Sequence, residues 1–150
     1  MTGESSPVAY APAPENKVEP WEPNVTALGD PGTLKWRDLV QPGTPLPTPW
    51  QKEEYERMSR AYQERRGKIR AANRPEEEME ALFREARAAE AKLFAKEKYA
   101  GKVGAFEGAN YEAKGYFRPE VDCIMFTRSP SFCAVCRRGI ETVIGLYDGR

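Results

Sequence analysis

The sequence contains no histidine among its 150 residues. Proteins of the His-Glu-x-x-His type hold a hydrolytic zinc with two histidines one helical turn apart, while the glutamate activates a bound water. That device cannot be assembled from this chain. Net charge is lacking as well: 23 basic and 23 acidic side chains cancel, so no global field draws in nucleic acid or an anionic membrane. No apolar run approaches the roughly 20 residues that cross a bilayer, and the opening Met1-Thr2-Gly3-Glu4-Ser5-Ser6-Pro7 has neither the basic start nor the apolar centre of a secretion signal. Apolar residues are 40% of the chain and the mean hydropathy is -0.71. A core built by this chain alone is therefore small.

What is present is organised by proline, helical periodicity and glycine. Prolines at 7, 12, 14, 20, 23 and 31 with few aliphatics predict an extended or disordered segment over residues 1–32. Trp21, Val25 and Leu28 are its apolar exceptions. Residues 33–150 read as one further unit. In it, Leu34, Trp36, Leu39 and Val40 predict a short helix or strand that the prolines after Gln41 cannot prolong, with Trp36 in a core rather than a cleft. Thr48-Pro49-Trp50-Gln51 has the form of a capping box with proline at the first helical position. Tyr55, Met58, Tyr62 and Ile69 then recur at helical spacing, predicting a helix over 49–72. Asn73-Arg74-Pro75-Glu76 repeats the capping logic, and Met79, Leu82, Phe83, Ala86, Ala89, Leu93 and Phe94 predict one face of a second helix. The short connection makes the pair an antiparallel hairpin within 48–98. Heptad-like spacing of Met79, Leu82, Ala86, Ala89 and Leu93 admits a partner-binding coiled coil as its other role. Arg60, Arg65, Arg66, Lys68 and Arg70, interleaved with Glu54, Glu56 and Glu64, read as a solvated face.

From Tyr99 to Pro119 the helical pattern stops, and Gly101, Gly104, Gly108 and Gly115 among aromatics predict an irregular loop suited to close backbone approach. Ser129-Pro130 reads as the opening of a last helix, with Val135, Ile140, Val143, Ile144, Leu146 and Tyr147 as its apolar face and Gly145 and Gly149 at its end. Arg137 and Arg138 lie near its start, where the dipole offers them nothing, and they require an acidic neighbour from elsewhere. The fold class is mainly α: a helical hairpin and a C-terminal helix joined by irregular proline- and glycine-rich connections.

All three cysteines lie beyond residue 122, as Cys123-Ile124-Met125 before the Ser-Pro turn and Cys133-Ala134-Val135-Cys136 after it. Their chemistry admits a disulfide with one spare thiol, a metal site awaiting a fourth ligand, or three free thiols. A redox centre is the weakest reading, because no strand precedes the Cys-x-x-Cys as it does in a βαβ redox unit.

The pairing of Cys-x-Met with Cys-x-x-Cys resembles the methionine-turn region of metzincin-like zinc peptidases, and among them the IgA-peptidase type of metallopeptidase. The archaemetzincins share only the cysteine spacing. Val18-Glu19-Pro20-Trp21-Glu22-Pro23-Asn24-Val25-Thr26, Leu34-Lys35-Trp36-Arg37-Asp38-Leu39, Gly43-Thr44-Pro45-Leu46-Pro47-Thr48-Pro49 and Val103-Gly104-Ala105-Phe106-Glu107-Gly108 are similar to the IgA-peptidase type as well. The resemblance thus covers most of residues 18–147. It implies the C-terminal subdomain of an α+β zinc endopeptidase that hydrolyses a peptide or protein substrate with metal-activated water. Zinc is the cofactor so implied for the complete enzyme; this chain binds none catalytically, having neither the His-Glu-x-x-His helix nor the downstream ligand and acidic-tyrosine sequence. On this reading the chain is a C-terminal portion without its N-terminal catalytic half and is inactive alone, and the complete enzyme is exported. The resemblance makes Met125 the apolar floor beneath the zinc; Cys123, Cys133 and Cys136 are disulfide or structural-metal candidates, with a disulfide from Cys123 to Cys133 or Cys136 favoured because it fits an exported enzyme and ties the turn to the last helix. The archaemetzincin pattern has a fourth cysteine that this chain lacks. Glu107 and Tyr111 are the polar candidates of the substrate cleft. Thr127 stands where some metzincins carry a tyrosine that reaches the metal, so no tyrosine switch is implied. The other function class is a stand-alone helical interaction module stapled by its cysteines.

Overall fold

A computed structural model describes residues 17–149. The expected N-terminal segment lies outside the described residues up to position 16; from Lys17 it is irregular chain tied to the body. Lys35 holds it by donating to the carbonyls of Pro20, of Glu22 at 2.8 Å and of Val25 at 2.9 Å. Thr26 pairs with Phe117 through two backbone hydrogen bonds of 3.1 and 2.8 Å. Two 3-10 turns follow, Pro31–Thr33 and Arg37–Leu39, and between them Trp36 is fully buried with its Nε1 donating to the Gly104 carbonyl at 2.7 Å. Trp36 is a core residue, as its apolar neighbours predict.

The hairpin consists of α1 (Lys52–Ala71) and α2 (Glu76–Ala95). Its antiparallel sense is fixed by matched contacts: Tyr55 and Phe94 rings lie 5.4 Å apart near one end, and Arg65 pairs with Glu85 at 2.8 Å nearer the turn. Both capping expectations are corrected. Thr48 is not a cap: it is buried, its Oγ1 accepts from Ala105 N at 2.9 Å and donates to Pro45 O at 2.8 Å, and α1 starts later at Lys52. Asn73 does not open α2 but closes α1. Its φ of 48° is left-handed, Asn73 N donates to Arg70 O and Arg74 N donates to Ile69 O, which is the Schellman pattern that satisfies a helix's last carbonyls. The α2 face is corrected at two positions: Phe83 is 37% exposed, and Glu90 is buried on the stripe with Met79, Leu82, Ala86, Leu93 and Phe94.

The stretch expected as a loop contains two antiparallel strands, β1 (Phe106–Ala109) and β2 (Glu112–Arg118). Asn110 and Tyr111 have φ of 54° and 62°, the two-residue turn whose twist matches a hairpin. A register shift between Glu107 and Ala109 marks a bulge at Gly108, whose φ is 113°. The predicted close approach is real at Gly104, where an added Cβ would strike the Thr48 side chain. Helix α3 (Ala134–Asp148) begins at Cys133 rather than Ser129-Pro130. Mainly α is the right class, with this small sheet added.

Two cores result. Phe94, Phe106 and Val121 pack with Trp50, Tyr55 and Tyr99 between hairpin and sheet, while Leu34, Trp36, Val135 and the three cysteines pack beneath α3. Of the two arginines at the start of α3, Arg138 finds its carboxylate in Asp38, at 2.5 Å.

A candidate cleft and cysteine cluster around Met125

The turn that carries Met125 is held by its own backbone. Phe126 N and Thr127 N both donate to Cys123 O, at 2.9 and 2.8 Å, and Ile124 N donates to Ser131 O at 2.9 Å. Thr127 Oγ1 bonds Asp122 Oδ1 at 2.5 Å and accepts from Cys123 N at 3.2 Å. Thr127 therefore locks the turn rather than reaching outward. With both flanks pinned inward, Met125 is turned to the surface and is 55% exposed.

Met125 sits where two cavities meet. One, of about 540 Å³, runs between α1 and the β hairpin and is lined among others by Glu22, Trp50, Lys52, Glu107, Tyr111 and Arg118. The structure thus brings Glu107, Tyr111 and Met125 to one cleft. Glu107 is not a free base there, since Lys52 Nζ lies 2.6 Å from its carboxylate. Tyr111 stands fully exposed at the hairpin tip and has no packing role. The other cavity, about 340 Å³, is an apolar groove formed by Trp21, Pro23, Phe132, Ile140, Val143 and Ile144 beside Met125. The expected apolar face of α3 exists, but apart from Val135 it is largely uncovered: Val143, Ile144, Leu146 and Tyr147 are all more than half exposed.

Arg118 and Glu90 were not legible as site residues. Arg118 Nη1 and Nη2 donate to the carbonyls of Gly108 at 3.0 Å and Val121 at 2.9 Å, and its guanidinium lies 4.7 Å from the Trp50 ring. Burial pushes its pKa down, with Tyr55 and Asp122 opposing. Arg118 Nε and Trp50 Nε1 are, among the described residues, buried donors without a partner. Glu90 binds Arg128, immediately after the methionine turn, through Nη1 at 2.6 Å and the backbone N at 3.1 Å. A charged residue at i+4 from Ala86 on the apolar stripe was the signal available in sequence.

The residues around Met125 do not fit a catalytic zinc. The chain supplies no imidazole, and two of the cleft carboxylates, Glu107 and Glu112, are held in ion pairs with Lys52 and Lys17.

The cysteines converge. All three are buried as free thiols, and their sulfurs lie within 4.8 Å of one another, with Cys123 and Cys136 Sγ 3.7 Å apart. Hydrogen bonding with Cys133 and then Cys136 holds the Cys123 pKa below the ordinary thiol value, against the opposing effect of burial. Cys133 and Cys136 are pushed up, first by their contact with Cys123 and also by burial. Cys133 also caps α3, its sulfur accepting from Cys136 N at 3.5 Å, while Glu120 takes the Ala134 amide at 2.9 Å.

No curated protein matches the chain. The model of one family, IgA Peptidase M64, matches residues 4–144, nearly the whole sequence and all of the cleft, the turn that carries Met125 and the cysteine cluster. The chain belongs to the IgA Peptidase M64 family.

Proposed function

We propose that this chain forms the methionine-turn side of a metzincin-like zinc endopeptidase: Met125 is the apolar floor under the metal, and the β hairpin with Glu107 and Tyr111 walls the cleft that receives a protein substrate. The zinc-gripping histidines then come from polypeptide outside this chain, since it contains none. The observation that carries the reading is the exposure of Met125. A methionine serving only as core filler is buried, yet this one is 55% exposed at the junction of a polar cleft and an apolar groove. Apolar surface of that extent on α3 favours a covering partner, and a catalytic half set over Met125 would cover both. The reading of the hairpin as a stand-alone interaction module is less well supported, because the Leu82, Ala86 and Leu93 stripe is buried within the chain's own structure.

The isolated chain is then inactive. Purified protein incubated with zinc and a broad peptide library should give no chelator-sensitive cleavage, and such cleavage, absent from mock preparations, would overturn the proposal. Its positive arm is reconstitution. A polypeptide encoded alongside this chain and carrying His-Glu-x-x-His should restore zinc-dependent hydrolysis on mixing, and Ile144→Asp on α3 should abolish the restoration without unfolding the chain.

A further inference from the structure

We propose that Cys123, Cys133 and Cys136 hold a structural zinc ion that clamps the methionine turn to the start of α3. The site lies within this chain and does not depend on how the cleft above it is used.

The geometry is the first argument. Two thiolate sulfurs, each about 2.3 Å from a tetrahedral zinc, stand ~3.8 Å apart, and Cys123 and Cys136 Sγ are separated by 3.7 Å. The third sulfur lies within 4.8 Å of both, so one ion reaches all three with small side-chain adjustments. A disulfide, with sulfurs about 2.04 Å apart, would instead require Cys123 and Cys136 to close by ~1.7 Å and would leave Cys133 stranded.

The surroundings are the second. Each sulfur receives an N–H: Cys123 from Cys133 N at 3.2 Å, Cys133 from Cys136 N at 3.5 Å, and Cys136 from Asn24 Nδ2 at 3.4 Å. Donors aimed at sulfur are the support that bound thiolates need, and outer partners of this kind orient the ligands. The cluster also sits at the N-terminal end of the fifteen-residue helix α3, where the positive end of the helix dipole offsets negative charge. Around it are Leu34, Trp36 and Val135, an apolar shell that limits solvent access, while soft thiolate donors favour zinc over hard cations.

The chemistry balances simply. Zinc displaces the remaining thiol protons to solvent as the three thiolates bind it, and no electron is transferred. The ion bridges positions ten and thirteen residues apart in sequence, so the turn bearing Met125 cannot move away from α3.

The test uses the full chain purified under reducing conditions, with zinc alone as the probe. After reconstitution and exhaustive dialysis, about one zinc per chain should be retained. Cobalt(II) in its place should give the near-ultraviolet thiolate charge-transfer absorption and intense visible bands of tetrahedral coordination. Cys123→Ser and Cys136→Ser should each lose most of the bound metal, and Asn24→Ala should weaken binding by roughly tenfold through loss of an outer partner, with Leu146→Ala at the exposed far end of α3 unaffected. Should the cysteine variants fail to fold, the cobalt spectrum of the unmodified chain still decides. Absence of both retained zinc and thiolate-cobalt absorption would overturn the proposal. So would a native, unreduced chain in which two of three thiols fail to titrate after denaturation and no metal is found, since that is a disulfide.

Discussion

Replacing Glu90 tests whether the helical hairpin is fastened to the methionine turn by one buried carboxylate. Glu90 is 3% exposed, and it accepts from Arg128 Nη1 at 2.6 Å and from Arg128 N at 3.1 Å. In Glu90→Ala the guanidinium is not stranded, because the Arg128 side chain is 30% exposed and can turn to water. The penalty of an orphaned buried charge, about 3 to 5 kcal/mol, therefore does not apply. What remains is one charge-assisted hydrogen bond, an Arg128 amide left without its acceptor, and a small void beside Ala86 and Phe94, together about 2 kcal/mol. For a chain of this size that corresponds to a fall in Tm of roughly 4 to 8 °C. Urea unfolding followed by far-ultraviolet circular dichroism measures it. Glu90→Gln, which keeps the shape and an acceptor, should lose about 1 kcal/mol. Glu90→Leu, which completes the apolar stripe, should lie within ~1 kcal/mol of the native chain, since a well-packed apolar side chain can replace a buried ionic one. A double-mutant cycle with Arg128→Ala should return a coupling of about 1 kcal/mol. The reasoning is refuted if that coupling is zero, or if Gln and Ala are equally damaging.

Three further outcomes follow from other parts of the structure. Leu82→Ala, at a position 3% exposed on α2, should cost about 2 to 5 kcal/mol, and an unchanged melting curve would show that the buried face is misassigned. Tyr111→Gly should raise stability by up to ~1 kcal/mol, because the tyrosine makes no packing contact at the hairpin tip and pays for a φ of 62° that glycine adopts freely; a lower denaturation midpoint would contradict this. Burial opposes the charge of Glu19, but the Ala27 amide at 2.8 Å, with Lys35 and Thr26, holds its pKa below the ordinary carboxylate value. A depressed carboxylate contributes stability that is present above its unfolded pKa and is lost as pH falls through the folded one. Hydrogen-exchange protection of the Ala27 amide should therefore drop in acid below the usual carboxylate range, and Glu19→Gln should lack that step.

Much of the local architecture was legible in the residues. Helical spacing marked α2 and its buried Met79, Leu82, Ala86 and Leu93, because a 3.6-residue period places such positions on one side whatever they pack against. The lack of histidine ruled out a His-Glu-x-x-His helix in this chain from residue types alone, and Trp36 was legible as core from its apolar neighbours. Capping was less so. Thr48 and Asn73 have side chains suited to starting a helix, but the same groups serve other backbone amides or a left-handed turn equally well. Thr48 was claimed by Ala105, 57 residues further along the chain, and Asn73 by the end of α1. The strands were hidden because glycine and a bulge break the two-residue alternation in β1 and β2.

The candidate site divides in the same way. The amino-acid sequence by itself determined that Met125 lies in a short segment between cysteines, and which residue types are available for chemistry. Only the tertiary structure decided that Met125 faces outward where two cavities meet, that Glu107 is neutralised by Lys52, that Glu90 is buried on Arg128, and that three sulfurs meet beneath α3. The physical reason is range. Periodicity, turn chemistry and missing residue types act over a few positions and can be read along the chain. Exposure, charge pairing and ligand convergence depend on contacts between distant segments, such as Lys52 with Glu107 and Asn24 with Cys136, and these exist only once the chain has closed on itself.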